Sequence, residues 1–321
     1  MDFWTQLKAG TVAIGIAMAA VVTPAPASAG TVLKVAESDW TSGAITCRMI
    51  EFIIRGWSYK VQRINMASGP AVMESVRAGE TQYSCEAWPS YTPAKNRFIK
   101  KFGGDGSVAY LGEVGTAGRS GYYVPRYVLS GDKKRKIKAR ASKLKSWKDL
   151  NKFRKVFSTK STGTKGRLLG CPVAEWNCKD AERLIGLRLD YYAESLGSAE
   201  QHWAKVREAY KRGVPFLAYA WEPHWIHAEL DLVEVKLPQY SDAAWPATGW
   251  FVDVPFNFAN PNFVENHPKV ARLIENMRLS NEEQSRMIHE IEVKKRKLDD
   301  VVTEWLAANE AVWKKWVPAD S

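Results

Sequence analysis

Apolar and polar positions along the chain alternate between two periods. Residues 31–36 (TVLKVA) are rich in β-branched and apolar side chains and read as a first strand. A polar turn follows at 37–43, with Thr41 or Ser42 placed to cap a helix over 44–55. Residues 59–64 alternate as a strand, 70–78 read as a short helix, and 82–87 as another strand. This β-α-β-α-β order predicts a mostly parallel sheet with crossover helices. Further strands are expected at 121–124, punctuated by Pro125, and at 156–159, 215–219, 232–235 and 249–254. Helices are expected near 145–151, at 181–185 and at 200–212. The C-terminal part is helical, over 267–277, 281–294 and 298–316. In its last helix Val302, Trp305, Leu306, Val312, Trp313 and Trp316 fall near one face, the stripe of a helix docked on a core.

The first 29 residues carry a different pattern. Lys8 precedes an apolar run at 9–22, then a Pro-containing break and the small-residue triplet Ala27-Ser28-Ala29. That is the pattern of a cleaved secretory signal, and the run is shorter than the roughly 20 residues of a membrane span. The expectation is a soluble, exported, periplasmic protein beginning at Gly30. All four cysteines follow the cut. In an exported chain they suggest disulfides: Cys171–Cys178 closes a short loop, while Cys47 and Cys85 are either bridged or buried as free thiols.

At 321 residues, 45% hydrophobic and 25% charged, the chain is globular and long enough for about two domains. A net charge of +11 invites a nucleic-acid reading, but residues 131–170 hold fifteen Lys/Arg against two Asp, so the remainder is slightly acidic. No aromatic residues interleave with the run Lys133–Lys136, as a single-strand platform requires, so no nucleic-acid partner is expected. The stretch is either a solvated face or a patch for an acidic partner or anionic lipid surface.

The 14 Trp are more informative. Trp88 and Trp221 follow predicted strand ends, Trp40 follows the first strand, and Trp176 lies inside the Cys171–Cys178 loop. Ligands of open α/β sheets sit beyond the carboxyl ends of strands. A quaternary ammonium cannot donate hydrogen bonds and is weakly hydrated. Its natural receptor is a cage of aromatic faces, each contact contributing about 0.5–2 kcal/mol. Any carboxylate on such a ligand would seek backbone N–H groups at a helix start, and Asn177 and Cys178 precede a predicted helix.

Five segments carry a resemblance: DWTSG at 39–43, EAWPSY at 86–91, YYVPRYV at 122–128, GCPVAEWNC at 170–178 and AYAWEPHW at 218–225. With the C-terminal run from about 256 to 317, they make the chain resemble the OpuAC-like substrate-binding proteins of glycine betaine and choline ABC importers. The resemblance implies an α/β, two-lobed, type II periplasmic-binding-protein fold, each lobe a mostly parallel sheet. Lobe 1 is then 30–124 with 240–321, lobe 2 is 125–239, and the crossovers act as a hinge. It implies an aromatic box of Trp88, Trp176 and Trp221, with Trp40 as a fourth wall and the Asn177 and Cys178 amides facing a carboxylate. Partners would be a membrane permease and its cytoplasmic ATPase, with the protein a monomer. Some glycine betaine binders place a His shortly after the first box Trp; here the segment is Pro89-Ser90-Tyr91-Thr92, where Tyr91 or Thr92 would substitute. Choline, carnitine, trimethylamine N-oxide and sulfonium analogues therefore stay open beside glycine betaine.

No catalytic set is found. His224 and His227 lack a third ligand at metal spacing, and Gly103-Gly104-Asp105-Gly106 lacks the ending of a phosphate loop. No enzyme activity, metal or cofactor is expected. The rival of another class is a Trp-lined carbohydrate- or anionic-surface-binding module.

Overall fold

The computed structural model describes residues 31–38, 40–66, 70–172 and 178–319. The expected leader, Trp176 and Asn177 therefore lie outside the described residues, as does the side chain of Tyr91. The strands are β1 (Val32–Ser38), β2 (Lys60–Met66), β3 (Tyr83–Ala87), β4 (Ala109–Glu113), β5 (Arg119–Pro125), β6 (Gly166–Leu169), β7 (Tyr191–Glu194), β8 (Leu217–Glu222), β9 (Leu232–Val235) and β10 (Phe256–Ala259). They form two five-stranded sheets, ordered β2-β1-β3-β10-β4 and β7-β6-β8-β5-β9.

Each sheet is mixed. In the first, β1 pairs parallel with β2 and β3, whereas β10 is antiparallel to both β3 and β4. In the second, β6 pairs parallel with β7 and β8, whereas β5 is antiparallel to β8 and β9. Four strands of each sheet thus run one way and a single strand runs against them. The reversed strands are the two that follow a passage between sheets: β5 enters the second after β4, and β10 returns to the first after β9. The passages touch where Gly118 N donates to Asp253 O at 2.6 Å and Asp253 N to Gly118 O at 3.0 Å. This is the two-lobed α/β architecture with crossovers that the sequence leads one to expect.

Two strand expectations fail. Residues 156 and 157 end a helix, Trp147–Phe157, which buries Leu150 and Phe157, and the strand lies later, at β6. Residues 249–254 are irregular apart from the Asp253 bridge, and the strand of that region is β10, fully buried.

The first sheet is covered by the helix Thr41–Arg55, whose Ile45, Met49, Ile50 and Ile54 are buried and whose Cys47 is disulfide-bonded to Cys85 of β3. One apolar cluster runs from this helix through Met287 and Ile288 of the helix Asn281–Ile288 to Trp203, Ala218, Ala220 and Trp225 beside the second sheet. The other face of that sheet carries its own cluster, including Tyr122, Val124, Leu168, Leu217 and Tyr219. Trp316 is buried, stacks on Trp305, and packs with Trp313 on the first cluster, the docking role expected of that face.

Candidate functional site

Two of the expected site residues, Trp88 and Trp221, lie beside the place where the two passages cross. Trp88 directly follows β3. A methyl group built on Gly118 would come within 2.3 Å of the Trp88 ring, so the indole packs directly against this glycine. Two residues on, Ser120 pairs across the antiparallel ladder with Trp221 of β8, and Tyr122 with Tyr219. Alternation along a strand puts positions 118, 120 and 122 on one face, and opposed residues of an antiparallel pair share a face. Trp88 and Trp221 therefore lie over the same face at the start of β5.

That face continues as an aromatic belt. Tyr219 lies 5.9 Å from Trp221 and 5.4 Å from Trp250, and Tyr122 meets Trp250 edge-on at 5.5 Å. The fully buried Arg183 guanidinium stands 3.6 Å over Trp250 and 4.8 Å over Trp245. It donates to Thr248 O at 2.7 Å and to Cys178 O at 2.7 Å. Asp180 accepts from the Tyr122 hydroxyl at 2.6 Å and from Cys171 N at 2.6 Å. Both ends of the disulfide-closed Cys171–Cys178 loop are thereby tied to the belt. Cys178 is buried, and a left-handed Lys179 separates it from the helix Asp180–Gly186.

Beneath Trp88 lies a buried acid. Glu86 is fully buried, and its carboxylate accepts from the Trp88 indole at 3.2 Å, Thr46 at 2.8 Å, Gln284 at 2.6 Å and Ser42. Asn257 of β10 accepts from the Glu86 backbone N–H at 3.1 Å. Burial raises the Glu86 pKa above the ordinary carboxylate range, opposed by the donors of Ser42, Thr46, Gln284 and Trp88. Trp221 is backed by His224 at 4.5 Å and Trp203 at 5.2 Å, and its carbonyl pairs with His227 at 3.1 Å. Trp40 stands apart. It occupies the N-cap position of the helix Thr41–Arg55, and among the described residues its buried indole N–H has no hydrogen-bond partner and no ring contact joins it to Trp88 or Trp221.

A cavity of about 320 Å³ opens between β8 and the helix Asn281–Ile288, lined by Glu222, His227, Asn281, Ser285 and Arg286 among others. Its walls are polar and charged, so it does not supply an aromatic cage. Asn281 bonds both Ala117, just before the crossing, and Glu222, at the end of β8.

A profile of the OpuAC family, the substrate-binding domain of ABC-type glycine betaine transport systems, matches residues 31–308. The chain belongs to this family. It is 25% identical over 290 residues to the trimethylamine N-oxide-binding protein of Pelagibacter ubique (strain HTCC1062), covering 86% of this chain and 87% of that one. It is 24% identical over 263 residues to the glycine betaine/proline betaine-binding periplasmic protein of Escherichia coli (strain K12), covering 76% of each. The fold matches a crystal structure described as a glycine betaine/carnitine/choline ABC transporter with a TM-score of 0.62 at 16% identity, over 88% of this chain and 98% of that one. As an OpuAC-family member the chain is a substrate-binding protein of ABC-type transport, not an enzyme. Among the described residues no helix is long and apolar enough to cross a membrane, and no group of His, Cys, Asp or Glu could hold a metal.

Sequence reasoning missed several residues of this OpuAC-type crossing. Arg183, Trp250 and Gly118 carried no motif. Reading 249–254 as a strand hid the loop that brings Trp250 onto Tyr122. Glu86 stood in a quoted segment, but only the fold shows that Ser42, Thr46 and Gln284 converge on it.

Proposed function

We propose that the chain captures a small methylated ammonium compound, of the glycine betaine, choline or trimethylamine N-oxide class, between its two lobes. Lobe 1 is 30–124 with 240–321 and lobe 2 is 125–239. The observation that carries the reading is the placement of Trp88 and Trp221 over one face at the lobe crossing, within a family that serves such ligands. Trp176 lies in the loop tied to the same belt, and Trp40 and Tyr91 sit on segments that follow β1 and β3. In this reading the Asn177 and Cys178 amides face the polar end of the ligand. Closure about the passages then brings the second-lobe Trp over the first. The protein, exported as a monomer with its first 29 residues removed, delivers the ligand to a permease driven by a cytoplasmic ATPase.

The test is titration with glycine betaine, choline and trimethylamine N-oxide, followed by calorimetry and Trp fluorescence. Saturable binding of at least one is expected. Trp88→Ala and Trp221→Ala should each weaken it about tenfold or more, the effect of one desolvated cation–π contact. Trp313→Ala, on the packing face, should leave affinity unchanged. If no methylated ammonium compound binds, the reading fails.

A further inference from the structure

The basic stretch at 131–170 plays no part in the site above. Of its fifteen Lys/Arg, four have acidic partners: Arg135 with Asp132, Lys152 with Asp149, Arg154 with Asp190 and Arg167 with Glu194. The other eleven, ten Lys and Arg140, are all exposed and have no acidic partner among the described residues. Topology concentrates part of this charge. Because β5 runs against its neighbours, the chain leaves it at the end of the sheet where β6, β7 and β8 begin. Lys133, Lys134 and Lys136 of the following turn therefore join Lys165 before β6, Arg188 before β7 and Lys211 before β8. The acids there are already engaged: Asp132, Asp190, Asp231 and Glu208 each pair with an arginine.

The turn is built rather than trailing. Asp132 and Ile137 exchange two backbone hydrogen bonds of 2.8 Å. Between them the Arg135 guanidinium points inward, donating to Tyr210 O at 2.6 Å and Lys211 O at 3.0 Å and lying 5.3 Å over both Tyr127 and Tyr210. This anchor fixes the turn while the flanking lysines stay in solvent. No large apolar side chain of 131–170 is exposed.

We propose that this basic end of the second sheet docks the protein on anionic phospholipid headgroups. The composition favours a bilayer over an acidic protein. Lysine is a compact point charge without the directional fork of arginine, and of the eleven unpaired basic residues of 131–170 only Arg140 is an arginine, whereas protein interfaces centre on aromatic and arginine side chains. Unpaired lysines spread over a turn, a helix and loops match a diffuse, mobile layer of negative charge. The docked end is opposite Trp221 along β8, so contact with lipid leaves the crossing accessible. The proposal does not depend on which ligand binds there.

The test uses protein recovered from the cell envelope, as the cell processes it, sedimented with phosphatidylcholine vesicles with and without phosphatidylglycerol. Binding is expected only to the phosphatidylglycerol vesicles. It should fall steeply between about 0.01 M and 0.15 M salt, as the screening length shrinks from about 30 to about 8 Å. The variant Lys133→Gln/Lys134→Gln/Lys136→Gln should lose partitioning on the order of a hundredfold, with ligand affinity and thermal midpoint unchanged. Equal binding to both vesicle types, no binding at low salt, or undiminished binding by the triple variant would each overturn the proposal. So would retention on permease reconstituted in neutral lipid without any binding to phosphatidylglycerol, which would assign the face to an acidic protein.

Discussion

Glu86 combines a left-handed backbone (φ 56°) with complete burial, a conformation uncommon for any residue but glycine and one that surrounding contacts must hold. Four side-chain donors converge on its carboxylate, and one of them is the Trp88 indole. The acid therefore orients the indole while Gly118, in the passage leading into β5, supports the ring. Glu86→Gln would present an amide N–H₂ to groups that already point donors inward, leaving at least one donor unsatisfied, at a cost of about 1–3 kcal/mol. Ligand affinity should fall about tenfold. Because Trp88→Phe removes the same hydrogen bond, the double variant should lose less than the two single changes together, by about 1 kcal/mol. Calorimetric titration of the four proteins in that cycle gives the coupling, and strictly additive losses would refute the positioning role. At this scale the sequence disclosed Trp88 and Trp221 because strand-end Trp is conspicuous. It could not disclose what holds them, since Ser42, Thr46, Gln284 and Gly118 are distant in sequence and ordinary in type.

At the scale of elements, the helices were the more legible part. Residues 70–78 and 281 onward declare themselves by period and by start signals, and Ser280 forms a capping box with Glu283. The strands of the second sheet were less so. The four-residue β6 and β7 are too short to show a period, and the stretch at 156–159 imitates a strand while finishing a helix. The return passage was misread for a related reason: its aromatic residues suit a strand, but Trp250 packs on Arg183 and Phe251 is exposed. That arginine joins three elements, holding Thr248 of the return passage, Cys178 of the disulfide loop and, at 3.4 Å, Asp180. Arg183→Met keeps much of the apolar stem and removes the charge, leaving the Thr248 and Cys178 carbonyls without their donor and Asp180 without its cation. A destabilisation of about 3–5 kcal/mol is expected, in the range for breaking a buried pair. It should be accompanied by a shift in Trp emission as Trp245 and Trp250 lose the guanidinium. Urea unfolding followed by fluorescence reads both, and an unchanged midpoint would show that the passage is held by other contacts.

For the whole molecule, both sheets share one apolar cluster, and two buried histidines lie beside it. His224 stacks on Trp203 at 4.6 Å behind Trp221, and its backbone N–H bonds Ser285 of the C-terminal helical part. His202 bonds Tyr219 O at 2.9 Å within the second sheet. Desolvation lowers His202 to about 4 and His224 to about 3, against 6.5 for a free histidine. In this range the unfolded chain binds more protons than the folded one, so stability must rise with pH. The contribution of both rings is complete above pH about 6.5 and is lost as pH falls through 4 and then 3. Each ring adds about 1.4 kcal/mol per pH unit between 6.5 and its own folded value. Glu86 acts in the opposite sense: its raised pKa gives a contribution that is present at low pH and lost as pH rises through the folded value. Burial raises Glu234 and Asp253 in the same sense as Glu86, while it lowers His227 beside His224 and so adds to the imidazole side. The urea midpoint should therefore fall between pH 6.5 and pH 4, and His202→Gln should flatten that fall by about 1.4 kcal/mol per pH unit while lowering the plateau. A midpoint that is flat over this interval, or a slope untouched by His202→Gln, would mean that the two rings are not held neutral by burial. The junction between the lobes would then have to be stabilised by its aromatic packing alone.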